Sequence, residues 1–286
     1  VLARAFKLDL WLPNEAVRKL LGRLPTLPSM SSDYHLIVEA LEAGDLDQAA
    51  DRIATDPPLA AKTLQLANSA AWGPPLDESH PGRCARELGL SNLRSLLLLS
   101  HTYSAYRDLT NTGFDVAAFV ARSRQTSQLA RRIAESEAAN ASLADQAAGA
   151  GLLHNLGKLA LAVNLPEKYR QVEARRSDGG LSSWEAEQDV FGATHGEVGG
   201  SLLALWGLPM PVIEAVAFHH HPTCLLTRNF SPLTAVHVAT AFLSFPTLEL
   251  ARERIDVGYL GAVQTDQHLE RWWACRLDLP EAPQPV

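Results

Sequence analysis

Apolar residues recur along almost the whole chain at spacings of three and four, with Ala and Leu dominant and runs of β-branched residues scarce. That period belongs to the α-helix, whose 3.6 residues per turn gather such positions into one stripe; strands need a period of two. The pattern predicts an all-α protein. Apolar residues make up 47% of the 286, enough for a sizeable core, and charged residues only 20%, too few for a disordered chain.

Punctuation residues divide the pattern. A first amphipathic helix is expected over 13–23, broken by Leu24-Pro-Thr-Leu-Pro28. Helices follow over 33–43 and 45–55, the second capped by Asp45, and another opens at Asp56-Pro-Pro58 and runs to about Ser69. Pro74-Pro75 ends that section, and Ser91 is read as the cap of a Leu-rich helix over 92–107. A long helix is predicted over 114–138 and another over 144–164, then a turn at Gly179-Gly180. Ser182 with Glu185 and Thr194 with Glu197 form capping boxes for helices over 183–191 and 195–206. Helices over 210–220 and 231–245 precede a less regular tail whose last residues, 279–286, contain three prolines and should fray. The polar region 106–113 is the best boundary. The expected organisation is therefore an N-terminal helix (1–23), an N-terminal bundle (24–107), a C-terminal bundle (108–246) and a helical extension with a frayed tail (247–286), the two bundles packed together.

Several functions are disfavoured. A formal charge of −7 does not suit nucleic-acid binding, which needs a basic face. Arg122 with Arg124 and Arg131 with Arg132 read more simply as solvated helix faces. Cys84, Cys224 and Cys275 form no CxxC pair, so neither a zinc knuckle nor a redox dithiol is supported. No run approaches the roughly 18 apolar residues of a membrane helix, and Val1–Lys7 lacks the apolar stretch of a secretory signal. A cytoplasmic location is expected. Nucleophilic catalysis has no Gly-x-Ser-x-Gly elbow, Cys84 and Cys224 read as small hydrophobes, and Glu185 with Asp189 reads as a solvated face. Gly151 to Lys158 is not a phosphate loop: five residues separate its glycines, Leu159 follows the lysine, and no strand precedes it.

The histidines are the main chemical signal. There are ten, and His154, His195 and His219-His220-His221 fall on or beside three helices of one predicted bundle. Histidines so placed can converge on a metal centre, and neutral imidazole suits Zn, Fe, Ni or Cu. Successive helical positions turn by about 100°, so the three consecutive histidines cannot all face one ion. A lone histidine in a bundle is more often a hydrogen-bonded core residue.

Taken in order, the motifs resemble a family. Leu24-Pro-Thr-Leu-Pro28, Asp56-Pro-Pro-Leu-Ala-Ala-Lys-Thr-Leu-Gln-Leu-Ala-Asn-Ser69 and Glu87-Leu-Gly-Leu-Ser-Asn-Leu-Arg94 are similar to the first half of HDOD domains. Ala150-Gly-Leu-Leu-His-Asn-Leu-Gly-Lys158, His195-Gly-Glu-Val-Gly199, Leu205-Trp-Gly-Leu-Pro209 and Glu214-Ala-Val-Ala-Phe-His-His-His-Pro222 are similar to the second. The resemblance covers about residues 20–225. It implies an all-helical fold, a C-terminal bundle related to HD-type metal-dependent phosphohydrolases (cyclic dinucleotide phosphodiesterases among them), and a place in bacterial signalling.

Carried over residue by residue, the resemblance implies a degenerate site. An early metal-binding His falls near Arg122, whose guanidinium stays protonated and cannot ligate a metal. The His-Asp doublet becomes His154-Asn155, and Asn supplies no negative charge. Further histidines survive as His195, His219 and His220, and a late Asp falls near Thr240. Arg122, His154, Asn155, His195, His219, His220 and Thr240 are thus expected to line a vestigial or ligand-binding site with no catalytic residue and no required cofactor. A transition metal on His154, His195, His219 and His220, with His237 or Asp145 recruited, is the alternative. The expected function is a non-catalytic module binding signalling proteins or a small ligand. The alternatives are a sensor of nucleotides or cyclic dinucleotides, with Arg122 and Arg124 meeting phosphate, and a residual phosphohydrolase.

Overall fold

The computed structural model describes residues 14–22, 34–68, 78–103, 109, 112–137, 141–225 and 229–276. The expected breaks at 24–28 and 74–75, most of the boundary region 106–113 and the frayed end 279–286 lie outside them. Among the described residues there is no strand. The first five helices are α1 (Glu15–Leu21), α2 (Tyr34–Glu42), α3 (Leu46–Ile53), α4 (Pro57–Ala67) and α5 (Pro81–Tyr103). Then come α6 (Val116–Glu137), α7 (Ala141–Leu153), α8 (Leu156–Asn164), α9 (Pro166–Gly179), α10 (Ser183–Phe191) and α11 (His195–Leu205). The last are α12 (Met210–Phe218), α13 (Pro232–Ser244), α14 (Leu248–Arg252), α15 (Val257–Ala262) and α16 (Leu269–Ala274).

Local chemistry sets most helix starts. Asp45 accepts from the Gln48 N–H at 2.9 Å and Asp56 from the Leu59 N–H at 2.8 Å, as the capping pattern predicts. Both capping boxes form, with Ser182 and Thr194 as caps. Three segments differ from expectation. Helix α5 is two helical segments joined at a kink, Gly89, whose φ 74° and ψ 168° are open to glycine; the second begins just past Gly89, close to the start expected at Ser91, and the first, from Pro81, was not foreseen. The single helix expected over 144–164 is two, because the chain turns at His154-Asn155. Helix α9 was not foreseen; Pro166 opens it and Gly180, at φ 63°, closes it.

Two hydrophobic cores result. A small one joins Ile37, Leu41, Ile53, Leu59 and Leu93 from α2 to α5. The large one fills the C-terminal bundle. Helix α4 serves both: Leu59 faces the small core while Ala60, Ala61 and Leu64 face the large one. The carboxylate of Asp145 (α7) bonds Arg83 (α5) and Arg131 (α6), adding a buried ionic tie between bundles. Helix α1 precedes the small bundle in sequence but packs on the large one. Val17 and Leu20 are buried there, and the Asn14 side chain donates to Gly192 O at 3.0 Å and Glu197 Oε1 at 3.2 Å. The C-terminal extension is also integral, with Tyr259, Leu260 and Trp272 buried in the large core.

The bundle is drawn tight by glycines. A Cβ at Gly157 (α8) would lie 2.1 Å from the His195 carbonyl oxygen, and one at Gly200 (α11) 2.6 Å from Ala217 Cβ on α12. Helices α8, α11 and α12 therefore meet almost backbone to backbone, and this closeness gathers the histidines. Gly157→Ala is expected to cost at the upper end of the roughly 1–3 kcal/mol typical of overpacking, lowering the thermal midpoint by roughly 5–10 °C. Calorimetry of both proteins checks it.

Candidate functional site

The site is built from interruptions and ends of helices. His154 lies in the turn between α7 and α8, His195 is the first residue of α11, and His219 and His220 follow α12. Each deep imidazole is anchored through Nδ1. That of His154 bonds Gly151 O at 2.7 Å and that of His219 bonds Val216 O at 2.9 Å. A carbonyl only accepts, so both Nδ1 atoms carry the proton and both Nε2 atoms present a lone pair. His195 Nδ1 meets Glu187 Oε2 at 2.6 Å, and its backbone N–H donates to the same oxygen at 2.7 Å. His220 Nε2 stands 3.1 Å from His195 Nε2, with one of the two carrying the proton between them. His219 Nε2 is buried with no hydrogen-bond partner.

Candidate ligand atoms of His195, His219 and His220 lie within 4.8 Å of one another. Convergent ring nitrogens, with the opposite nitrogen of His195 and His219 held by an outer acceptor, fit one transition-metal ion. No carboxylate joins this cluster among the described residues, so a carboxylate-bridged dinuclear centre does not fit. His154 is not among the converging ligand atoms, although its ring centroid, 5.4 Å from that of His219, packs against the group. His221 lies outside this group, its backbone non-helical at φ −135° and ψ 66° and its ring 4.6 Å from that of Trp184.

Arg122, His154, Asn155, His219, His220 and Thr240 together line a cavity of about 450 Å³. His195 lies fully buried beside it. The sequence pattern thus identified residues that meet in space. Arg122 donates to Leu243 O, and Thr240 Oγ1 to His237 O at 2.8 Å. Three other expectations fail on geometry. Arg124 points to the small bundle, donating to Thr55 O at 2.8 Å. Asp145 is held by Arg83 and Arg131. His237 has both nitrogens engaged, with His219 O at 2.7 Å and the Asp256 N–H at 3.0 Å, so neither it nor Asp145 can be recruited as a ligand.

The HDOD domain family model matches residues 24–222. This chain belongs to the HDOD family. The MmoQ response regulator of Methylococcus capsulatus is 25% identical, with a TM-score of 0.62 over 83% of this chain and 98% of that one. An HDOD domain protein of Geobacter sulfurreducens shares the fold at 21% identity, with a TM-score of 0.52 over 92% of this chain and 96% of that one. An uncharacterized protein of Treponema pallidum is 27% identical over 252 residues, 86% of this chain. The HDOD chain spans about half the length of that curated relative, 48%.

Residues that sequence reasoning missed complete the HDOD site. Glu187 is fully buried under His195, eight residues before it on another helix, and no motif marks it. Lys158, Tyr169, Glu173 and Arg176 line the cavity, the last three from the unforeseen helix α9. Burial raises the Glu187 carboxyl to about 7, against the pull of the Lys158 charge and the His195 N–H. Burial holds His154, His195, His219 and His220 well below the ordinary imidazole range, aided by mutual repulsion or the Lys158 charge.

These imidazoles fold neutral, with folded pKa values below the unfolded value of about 6.5. Their stability contribution is full above that value and is lost as pH falls, because the unfolded chain binds protons that the native state refuses. Glu187 works oppositely, its raised pKa favouring the folded state toward acid. Urea unfolding of chelator-treated protein should show stability falling from pH 7 to pH 5, with a shallower slope in the His154→Gln/His219→Gln double variant.

Proposed function

We propose that this HDOD protein is a non-catalytic regulatory module of bacterial signal transduction, acting through binding rather than turnover. The observation that carries the reading is the make-up of the cavity wall. Asn155 stands there where the resemblance puts a carboxylate, Thr240 spends its hydroxyl proton on a backbone carbonyl, and Arg122 adds a fixed positive charge. A hydrolytic metal centre must bind its ions and lower the pKa of a bound water. Without the two carboxylates and the imidazole that the resemblance puts there, the three remaining histidines can hold a single ion but not a carboxylate-bridged pair with an activated water. The likeness to MmoQ, a response regulator, supports the signalling setting. In this reading the α2–α5 bundle offers the surface for signalling proteins, and the cavity takes a small ligand.

The protein loaded in turn with Fe²⁺, Mn²⁺ and Zn²⁺ should leave cyclic dinucleotides and a generic phosphodiester intact over hours. Turnover at an enzymatic rate that disappears in His154→Ala would overturn the reading.

A second reading, a residual metal-dependent phosphohydrolase, is favoured by one observation: the ring nitrogens of His195, His219 and His220 converge. A bound ion would supply Lewis acidity, and the three histidines are the residues to hold it. Titration with Co²⁺, followed by visible absorption, separates the readings. One ion per chain, lost in His219→Ala and accompanied by no turnover, is expected of a binding module that keeps a relic of the centre.

A further inference from the structure

A second cavity of about 450 Å³ adjoins the first and shares Lys158, His219, His220 and Thr240 with it. Each volume is typical of a small-molecule site. Cationic side chains are unevenly compensated across the two. In the first, Glu173 is paired with Arg176 at 2.5 Å, and Asp115 accepts from the Ala118 N–H at 2.8 Å. Lys158, which lines both cavities, has no hydrogen-bond partner for its amine among the described residues; burial pulls that amine below its usual range, and the charge of Glu187 attracts it although the bonded oxygen of Glu187 is spent on His195. Arg122 spends a donor on Leu243 O, and the rest of its five-donor fork has no protein partner among the described residues. The second cavity adds Arg254 with the neighbouring carboxylate of Glu253, and the partly exposed indole of Trp184.

A half-buried amine and guanidinium with most of their donors left without acceptors are well placed to gain from an anion that enters the cavities. Arg122 stands where the resemblance puts a metal-ligating histidine, so it brings a permanent cation to a place where a bound metal ion would otherwise supply the charge. A guanidinium grips phosphate oxygens in pairs and an ammonium adds a point charge, whereas neutral imidazoles and hydroxyls only direct hydrogen bonds. Planar rings stack on indole faces. Resting on the binding reading above, we propose that the joined cavities hold a nucleotide-class ligand without any metal: its phosphates lie on Arg122 and Lys158, and its base lies against Trp184.

The test is isothermal titration of chelator-treated full chain with pyrophosphate, ADP, GDP and cyclic di-GMP, each sample then chromatographed for products. Binding of pyrophosphate and at least one nucleotide is expected. Arg122→Gln and Lys158→Gln should each weaken it tenfold or more, Lys158→Arg should recover most of the loss, and Trp184→Ala should weaken the nucleotide but not pyrophosphate. Circular dichroism and the thermal midpoint identify any variant that fails to fold, in which case Arg122→Lys, keeping charge but losing the fork, replaces it. No heat with any probe at millimolar concentration, or affinity indifferent to Arg122 and Lys158, overturns the proposal and leaves the non-catalytic reading standing. A nucleotide as sensitive to Trp184→Ala as pyrophosphate overturns the base placement. Hydrolysis products would sink the non-catalytic reading, while dependence on Arg122 and Lys158 would still support this one.

Discussion

The contact on which this structure depends is the near-touching of backbones at Gly157 and His195. With 2.1 Å between an imagined Cβ and a carbonyl oxygen, there is no room for any side chain at the crossing. Helix α8 lies directly on α11, and Gly196 and Gly200 let α11 lie just as closely on α12. Three helices so close cannot separate their ends, and the ends carry His154, His195 and His219. The histidine cluster is thus a consequence of backbone packing, and the small residues around it are as much part of the site as the imidazoles.

Burying several imidazoles together has a cost that the fold meets locally. The Nδ1 of His154 and that of His219 each use the carbonyl three residues earlier, so each ring is oriented by its own turn. His195 has no such carbonyl at the start of a helix. It uses Glu187 from α10 instead, and that carboxylate also satisfies the backbone N–H of His195 at the exposed-dipole end of α11. The result is an apparatus that orients ring nitrogens toward one point.

Charge has been rearranged at the same time. Arg122 enters from α6 and is steadied by the last turn of α13, while Lys158 stands between the two cavities. Apart from the one carbonyl that Arg122 meets, these side chains have no hydrogen-bonded acceptor among the described residues, and that distinguishes them from Arg83 and Arg131, which are spent on Asp145 in joining the bundles. The same residue type serves as a structural tie in one place and lines a cavity in the other.

The sequence by itself determined what depends on near neighbours. Capping residues such as Asp56 and Thr194 act over three residues, so they could be read directly, as could the helical period and the ordered motifs that identify His154, Asn155, His195, His219 and His220. The turn at His154-Asn155 escaped because apolar spacing runs through it, and the helical segment from Pro81 and helix α9 because each carries too few apolar residues to show a stripe. Tertiary structure alone decided which distant groups meet. It set Glu187 under His195, closed off Asp145 and His237, turned Arg124 away and Arg122 inward, and carried α1 across to the far bundle. Those outcomes depend on how close helix backbones may come and on where buried charges find partners, and neither is written in the spacing of one chain.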